Sequence, residues 1–387
     1  MTAVRDGEWI LARLVGFDTD SAKGNLPVAD FLCGLLEGPG VRIDRNSSAD
    51  GRKVNLVVRK GPDTGPDRGG LVLSAHVDTV PAGEGWTSDP FVLTDRGDRW
   101  VGRGTADMKG FLALAVEAFL RADPGRLAAP LALVLTYDEE LGLLGARRLV
   151  ETWPAEDPLP RNCVVGEPTS LRVVRMHKGH LQCRVTVHGV SAHSGYPHRG
   201  ANAIEPAARV VAALAALRED LARERPPGGE HYPDTPFVTL NVGRISGGMA
   251  VNVVPDRCTV ELGLRPLPGM DAEPLARRVR EAVERGTAGS RFDFETTNDA
   301  PPMCTGADAP IHRALCVMTG QRDTAAVSYG TDGAWLQRLG MDCVVFGPGS
   351  IEVAHKPDEF LPKEDFVRGR AHLERLIARF CSGEARP

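Results

Sequence analysis

The 387-residue sequence lacks the features that mark several protein classes. Its formal net charge of -5 at pH 7 offers no basic excess for binding nucleic acid or an anionic membrane surface. No apolar run reaches the ~18 residues that a membrane-spanning helix requires. The opening segment MTAVRDGEWILARLVGFDTD has no basic flank, apolar block and small-residue cleavage site, so it does not resemble a secretory signal. We therefore expect a cytoplasmic protein with neither a nucleic-acid partner nor a membrane partner.

Cysteine is present but is not arranged for disulfides or for a zinc knuckle. The eight cysteines are dispersed and form no CxxC pair, which predicts free thiols in a reducing compartment. The composition is 42% hydrophobic and 25% charged, as is typical of globular proteins. At ~150 residues per domain, the length predicts about two domains.

The segment LVLSAHVD, residues 71–78, is the most informative stretch of the chain. Its apolar run predicts a strand buried on both faces of a parallel sheet, and it ends in His76 and Asp78. Side chains two apart on a strand point to the same side. One of the two can bind a metal while the other accepts a hydrogen bond from the second imidazole nitrogen. The motif alone also fits a structural histidine at a strand end.

Acidic residues follow two further predicted strands. Strand 131–136 runs into Asp138, Glu139 and Glu140, and CVV at 163–165 is followed by Glu167. Adjacent like charges repel unless a cation or solvent compensates them, so this segment predicts either a cation site or a solvated acidic turn.

A further carboxylate, Asp107, lies in a glycine-rich turn before an apolar helix predicted over 111–120. It fits either a site residue or a helix N-cap.

Strands that alternate with helices predict an α/β fold with a mostly parallel sheet and helices on both faces. In such sheets, functional sites lie beyond the carboxyl ends of the strands, where these acids and His76 fall. From residue 180 the order changes to βαββαβ with alternating strands, which predicts an inserted α+β ferredoxin-like sandwich. We expect a discontinuous catalytic domain, 1–179 and 296–387, interrupted by a lid or dimerisation domain, 180–295.

The candidate ligands comprise two imidazoles and three carboxylates, with Asp78 and Glu139 beside them. This donor set suits borderline divalent metals such as zinc or cobalt. Five ligands exceed what one tetrahedral catalytic ion with an open position uses, whereas two ions that share one carboxylate would use them all. The candidate metal ligands are His76, Asp107, Glu140, Glu167 and His355.

Several segments resemble the signatures of the two-zinc aminoacylase/carboxypeptidase family, and the resemblance covers nearly the whole chain in order. These segments are LSAHVDTVP, GRGTADMKG, TYDEELG, GEPTS and AHKPDE. Four more resemble members that act on Nα-acetyl-ornithine: HKGH, RGANAIE, LRPLPGM and GPGSIEVAHKPDE.

The resemblance implies a role for each metal-site residue. One ion is assigned to His76, Asp107 and Glu167, and the other to Asp107, Glu140 and His355. Glu139 is the implied general base, Asp78 the residue that orients His76, and the peptide bond between Asp107 and Met108 is expected to be cis.

The resemblance also assigns residues of the inserted domain. His193 is the implied oxyanion-stabilising residue, supplied by the same chain or by the partner subunit of a homodimer, and its alternative is a surface-loop histidine. Asn252 and Arg265 are implied at the substrate carboxylate, although Arg265 also fits a structural ion pair.

The implied reaction is removal of the acetyl group from Nα-acetyl-ornithine, a small-molecule N-acyl amino acid, by an enzyme of arginine biosynthesis. The alternatives are the same chemistry on N-succinyl-diaminopimelate, another N-acyl amino acid or a dipeptide, and an inactive relative that serves as a binding protein. A cationic substrate side chain requires an anionic partner, for which Asp332 and Glu352 are candidates. Asp332 stands where glutamate is expected, which weakens the substrate assignment but not the metal assignment.

Overall fold

The computed structural model describes residues 5–67 and 69–382. The chain forms two compact units. The first unit takes the described residues of Met1–Arg175, Thr305–Ala325 and Thr331–Pro387, and the second takes Met176–Cys304 and Ala326–Gly330.

The α-helices are α1 (Gly7–Val15), α2 (Leu26–Leu36), α3 (Gly110–Arg121), α4 (Leu144–Thr152), α5 (Ile204–Arg223), α6 (Ala272–Thr287), α7 (Pro310–Thr319), α8 (Gly333–Leu336) and α9 (Lys363–Cys381). The strands are β1 (Val41–Ser47), β2 (Val54–Lys60), β3 (Leu71–His76), β4 (Thr94–Asp95), β5 (Arg99–Val101), β6 (Leu131–Thr136), β7 (Asn162–Val165), β8 (Val174–His177), β9 (His180–His188), β10 (Ala192–His193), β11 (Thr239–Gly247), β12 (Val253–Val254), β13 (Arg257–Arg265), β14 (Phe292–Ala300), β15 (Met303–Cys304), β16 (Ala325–Val327), β17 (Asp342–Val345) and β18 (Phe360–Pro362). Short 3₁₀ turns lie at Pro124–Arg126, Pro197–Arg199, Gly229–His231 and Gln337–Leu339.

The sheet of the first unit runs β1-β2-β6-β3-β7-β17. The four strands β6, β3, β7 and β17 are mutually parallel, and β1 and β2 extend the sheet antiparallel. All six residues of β3 and all six of β6 are buried, as expected for central parallel strands covered on both faces. The fold is therefore α/β, as the alternation of strands and helices predicted.

Alternate side chains of the central strands enter different layers. Leu71 and Leu73 belong to one apolar cluster with residues of α1, α2, α3, α7 and α9. Val72, between them on β3, is also fully buried and points to the opposite face because strand side chains alternate. Helix α3 is apolar along almost its whole length and is buried from Gly110 to Phe119, so it fills the centre of the first layer.

The second unit is a four-stranded antiparallel sheet in the order β11-β13-β9-β14, with α5 and α6 packed together against it. Its chain order β9, α5, β11, β13, α6, β14 is the predicted βαββαβ order. Leucine, valine and cysteine side chains from one face of the sheet form its core with the apolar sides of the two helices.

The unit boundaries differ from the predicted domain boundaries. The predicted change at 295/296 falls inside β14, which continues to Ala300 and pairs with β9 as far as His180. Residues 296–300 therefore belong to the second unit, because their ladder hydrogen bonds are made with β9, and this unit extends to Cys304. Within residues 5–67 and 69–382, every helix is too short or too polar to cross a bilayer.

Candidate metal centre

Three neighbouring parallel strands bring four of the predicted site residues together at their carboxyl ends. His76 ends β3 and is paired with Thr136, the last residue of β6. The chain beyond β6 supplies Glu139 and Glu140, and the chain beyond β7 supplies Glu167. Because β3 lies between β6 and β7, the three segments meet at one edge of the sheet.

Asp107 enters this edge from an irregular turn, Thr105–Lys109, that leads directly into α3. The Asp107–Met108 peptide bond is cis, as the family resemblance implied. Asp107 is 6% exposed, and its backbone is not helical. It is therefore a buried carboxylate that faces the other acids rather than an N-cap exposed to solvent.

The Asp107 carboxylate separates two groups of ligand atoms. Its Oδ1 lies 3.1 Å from Nε2 of His76, which in turn lies 3.8 Å from Oε2 of Glu167. Its Oδ2 lies 3.3 Å from Nε2 of His355, which in turn lies 3.0 Å from Oε1 of Glu140. Within each group, the ligand atoms are all within 4.8 Å of one another. The two oxygens of one carboxylate thus face two separate three-residue groups.

The protein itself does not fully neutralise the negative charges of the carboxylates in this cluster. Burial, together with the Asp107 charge, raises the pKa of Glu167 to about 8. Hydrogen bonds to Asp107 and Glu140 raise the pKa of His355 to about 10. Burial opposes ionisation of Asp107, but hydrogen bonds from His355 and His76 lower its pKa. The carboxylates need positive charge, and the two imidazoles supply it only by protonation.

The residues present fit divalent metal ions. Oε1 of Glu167 is buried without a hydrogen-bond partner among the described residues, although such an atom normally has one. Each group offers one imidazole nitrogen and carboxylate oxygens from two acids, which is a donor set suited to zinc and related ions. A bound cation would give Oε1 of Glu167 a partner and would also favour the ionised form of Glu167, whose pKa burial raises.

Glu139 faces the same cluster, where it forms a third group with His76 and Glu140. Glu139 is half-buried, and desolvation together with the nearby Glu167 charge raises its pKa well above the usual value. It is absent from the two groups that share Asp107, so its carboxylate is available for proton transfer.

Asp78 contacts His76 differently from the sequence prediction. Nδ1 of His76 donates a hydrogen bond of 2.9 Å to the main-chain carbonyl of Asp78 and lies 3.7 Å from its carboxylate. That carboxylate accepts hydrogen bonds from the main-chain N–H groups of Glu139 and Glu140, both 3.2 Å, and from Ser21 Oγ, 2.7 Å. The main chain therefore orients His76, and the Asp78 side chain holds the loop that carries the two glutamates.

The other predicted binding residues lie in the second unit. His193 ends β10 and is exposed, and its Nδ1 accepts a hydrogen bond from Gly195 N–H at 3.0 Å. Asn252 is exposed beside it, with its carbonyl bound to Ser194 N–H at 3.0 Å. Arg265 ends β13 and is half-buried, and its charge contributes to lowering the pKa of His180 to about 4, after the larger effect of burial.

The two candidates for binding a cationic side chain differ in exposure. Asp332 is 2% exposed, accepts a hydrogen bond from Thr136 Oγ1 and leaves Oδ1 without a partner among the described residues. Glu352 is exposed on the loop that carries His355.

Two charged residues beside the metal ligands were missed by sequence reasoning. Arg103 and Glu359 are 2% and 1% exposed and form an ion pair of 2.6 Å. Both lie inside segments used for the resemblance, GRGTADMKG and AHKPDE. Each of the two residues lies within two positions of a short strand, Arg103 after β5 and Glu359 before β18. A charged residue so close to both a strand and a metal ligand was the signal that could have identified them.

Two imidazoles and several acids beside the carboxyl edge of an α/β sheet, in two groups with metal-ligand spacing, are typical of a metal-dependent hydrolase. The family model of peptidase family M20/M25/M40 matches residues 72–379. The chain belongs to peptidase family M20/M25/M40.

Curated relatives resemble the chain over nearly its full length. It is 40% identical over 384 residues to an acetylornithine deacetylase of Myxococcus xanthus, covering 96% of this chain and 97% of the relative. It is 38% identical over 372 residues to an acetylornithine deacetylase of Aliivibrio fischeri strain MJ11, with 94% of each chain covered.

Solved structures share the fold at lower identity. An M20 family metallo-carboxypeptidase from Sulfolobus solfataricus matches with a TM-score of 0.75 at 18% identity, covering 96% of this chain and 98% of that one. A dinuclear metal-binding M20 peptidase, the YXEP protein of Bacillus subtilis, matches with a TM-score of 0.64 at 15% identity, covering 96% and 99%.

Proposed function

We propose that this protein is a two-metal amide hydrolase that removes the acetyl group from Nα-acetyl-ornithine to give ornithine and acetate. The observation that carries the metal chemistry is the Asp107 carboxylate, whose two oxygens face different groups of ligands. The substrate assignment rests on the acetylornithine deacetylases that the chain resembles over nearly its whole length.

His76, Asp107 and Glu167 would hold one ion, and Asp107, Glu140 and His355 the other. Zinc is the ion that we propose, with cobalt as a substitute, because both accept mixed nitrogen and oxygen ligands. When bound, two such ions would activate a water molecule and polarise the amide carbonyl of the substrate.

Glu139 is the proposed general base and acid. Its carboxylate takes a proton from the attacking water and later gives it to the nitrogen that leaves as the amine of ornithine. Burial and the neighbouring Glu167 raise its pKa, which makes it a better proton acceptor than an exposed glutamate. The side chain of Asp78 keeps Glu139 and Glu140 in place through their main-chain N–H groups.

We further propose that the second unit serves as a lid and dimerisation domain. His193 would stabilise the oxyanion of the tetrahedral intermediate. Asn252 and Arg265 would bind the substrate carboxylate, and a guanidinium suits that role because it binds carboxylates bidentately. The exposure of His193 and Asn252 leaves both side chains accessible to a ligand.

A cytoplasmic homodimer in arginine biosynthesis is the proposed cellular form. The free thiols of all eight cysteines are consistent with a reducing compartment. Sedimentation equilibrium would test the dimer directly.

The substrate is tested by measuring kcat/KM of the zinc- or cobalt-loaded enzyme on Nα-acetyl-ornithine and N-succinyl-diaminopimelate side by side. We expect a preference of ~100-fold or more for acetyl-ornithine, about 2.7 kcal/mol of transition-state discrimination. A neutral N-acetyl amino acid is the third substrate. Faster turnover of the neutral substrate than of acetyl-ornithine would contradict the substrate assignment while leaving the metal chemistry in place.

A further inference from the structure

The carboxylate of Glu359, in the chain beside the metal ligands, accepts four hydrogen bonds. Its Oε1 accepts hydrogen bonds from the main-chain N–H groups of Ala106, 2.9 Å, and Asp107, 3.0 Å. Its Oε2 accepts from the Arg103 guanidinium, 2.6 Å, and from the main-chain N–H of Gly104, 3.0 Å. Four donors from residues 103–107 therefore converge on one carboxylate, and this segment carries the shared ligand Asp107.

Arg103 extends these contacts to a third loop. Its Nη2 donates to the main-chain carbonyls of Pro81, 3.3 Å, and Ala82, 3.0 Å. The guanidinium carbon also lies 5.1 Å from the ring centroid of Trp86, at a distance typical of a cation–π contact. The loop of Pro81 and Ala82 directly follows the segment of His76 and Asp78, so Arg103 joins it to Glu359.

Glu359 also belongs to the loop that carries His355. This loop departs from ordinary backbone geometry, because His355 has φ 61° and Asp358 has φ 55°. Non-glycine residues adopt the left-handed region uncommonly, His and Asp more often than most, and surrounding contacts help to stabilise it. Such contacts are present here: Asp358 accepts two hydrogen bonds from Thr87, and the Glu359 carbonyl accepts one from Gly102 N–H at 3.0 Å.

Glu359 therefore connects Asp107 and His355, two ligands of one group that come from distant parts of the chain. Asp107 is held through its own N–H group, and His355 is held because it lies four residues before Glu359 in the same anchored loop. The catalytic segments at the ends of β3, β6 and β7 have strand pairing to position them. The Asp107 turn and the His355 loop lie outside that sheet and need another support.

We propose that Glu359 is a positioning residue. It holds Asp107 and the His355 loop in fixed positions relative to each other, so that both ions bind tightly. This inference rests on the metal centre of the proposed function. Glu359 touches neither set of ligand atoms, so its effect passes through the main chain of Asp107 and of the loop. Residues that orient metal ligands commonly change metal affinity by about 10–100-fold when they are replaced.

The first test is the Glu359→Gln variant. Glutamine keeps the size of glutamate but places an NH₂ group against the donors of Arg103 or of the turn, because only one of its terminal atoms can accept. The matched control is Glu117→Gln. Glu117 is also 1% exposed and also ion-paired, to Arg121 and Arg370, but it lies on α3 within the first layer.

The metal-free proteins are titrated with Co²⁺ and followed by visible absorption, and kcat and KM are measured on Nα-acetyl-ornithine. We expect the wild type to bind two equivalents and Glu359→Gln to bind at least one of them ~10–100-fold more weakly. Its kcat falls while KM changes little, since the substrate contacts remain. Glu117→Gln binds both equivalents with wild-type affinity even where its melting temperature is lowered as much.

Equal cobalt affinities in Glu359→Gln and Glu117→Gln would overturn the positioning role. If the circular dichroism spectrum shows that Glu359→Gln is unfolded, cobalt binding is measured on the Arg103→Lys variant instead. Lysine keeps the charge but loses the fork that reaches both Glu359 and the Pro81–Ala82 carbonyls, so weaker cobalt binding is expected and unchanged binding overturns the proposal. A wild type that binds fewer than two equivalents would overturn the metal centre itself, which is a separate result.

Discussion

Nε2 of His355 lies 3.3 Å from Oδ2 of Asp107, on the carboxylate oxygen that does not face His76. The two residues come from loops far apart in the chain, one before α3 and the other before β18. Their proximity makes Asp107 a member of both ligand groups. The predictions for the metal site depend on this double membership.

Replacing the shared carboxylate should affect both ions, whereas replacing a terminal ligand should affect one. We expect Asp107→Asn to weaken both cobalt-binding steps and to lower kcat/KM by at least ~1,000-fold, about 4 kcal/mol. Glu167→Gln should weaken one step only. Metal analysis after dialysis measures this, with Asp98→Asn on the exposed surface as the control. A full-affinity site remaining in Asp107→Asn would show that Asp107 does not bridge.

Glu139 should be needed for proton transfer and not for metal binding. We expect Glu139→Gln to lower kcat by about 100- to 10,000-fold, the usual contribution of a general acid–base group, while the metal content stays at the wild-type level. Glu151→Gln, on the exposed side of α4 beside Arg147, provides the control. Loss of an ion from Glu139→Gln would instead identify this residue as a ligand.

Gly166 should tolerate no side chain, because a Cβ there would lie 1.9 Å from Cδ1 of Phe111. Overpacking of this kind costs about 1–3 kcal/mol, so Gly166→Ala should lower the free energy of unfolding in urea by that amount. It should also disturb Glu167, the next residue. Gly34 in α2 has nothing within 4 Å of its added Cβ, and Gly34→Ala should stabilise the protein by up to about 1 kcal/mol. Equal effects at the two glycines would contradict the packing at Phe111.

Lys60 should make stability depend on pH in the alkaline range. Burial lowers its pKa from 10.5 to about 8, although its ammonium donates to the carbonyls of Phe119 and Ala122. Between pH 8 and 10.5 the unfolded chain therefore binds more protons at this site than the folded protein, so this contribution to the free energy of unfolding increases as pH rises.

The measurement for Lys60 is the difference in unfolding free energy between the wild type and Lys60→Met at several pH values. Relative to the variant, the wild type should gain stability from pH 8 to pH 10.5. Lys23→Met is the exposed control and should lack this gain. A difference that stays constant with pH would mean that Lys60 is not desolvated.

Local pattern was sufficient for much of the fold. The apolar run at 131–136 predicted β6 with its observed bounds, because strands buried on both faces contain little else. The alternating pattern after residue 180 predicted the βαββαβ order of the second unit. Within β14, however, the polar residues 296–299 obscured the strand, and only its pairing with β9 set the end at Ala300.

The chemistry of the ligands was also visible in the sequence, since each acid follows a strand or precedes a helix. The sequence could not specify which atoms meet. Only the fold places Asp107 between His76 and His355, aims the Asp78 carboxylate at the Glu139 and Glu140 amides, and buries Glu359 against Arg103.

By itself, therefore, the sequence determined the order of the main strands along the chain, the edge of the sheet that carries the site and the residue types available there. Each of these depends on local spacing and hydrophobicity. Tertiary structure alone decided which oxygen of Asp107 faces which ligand group and which hydrogen bonds support the ligands. These depend on distances between segments that only packing of the whole unit brings together.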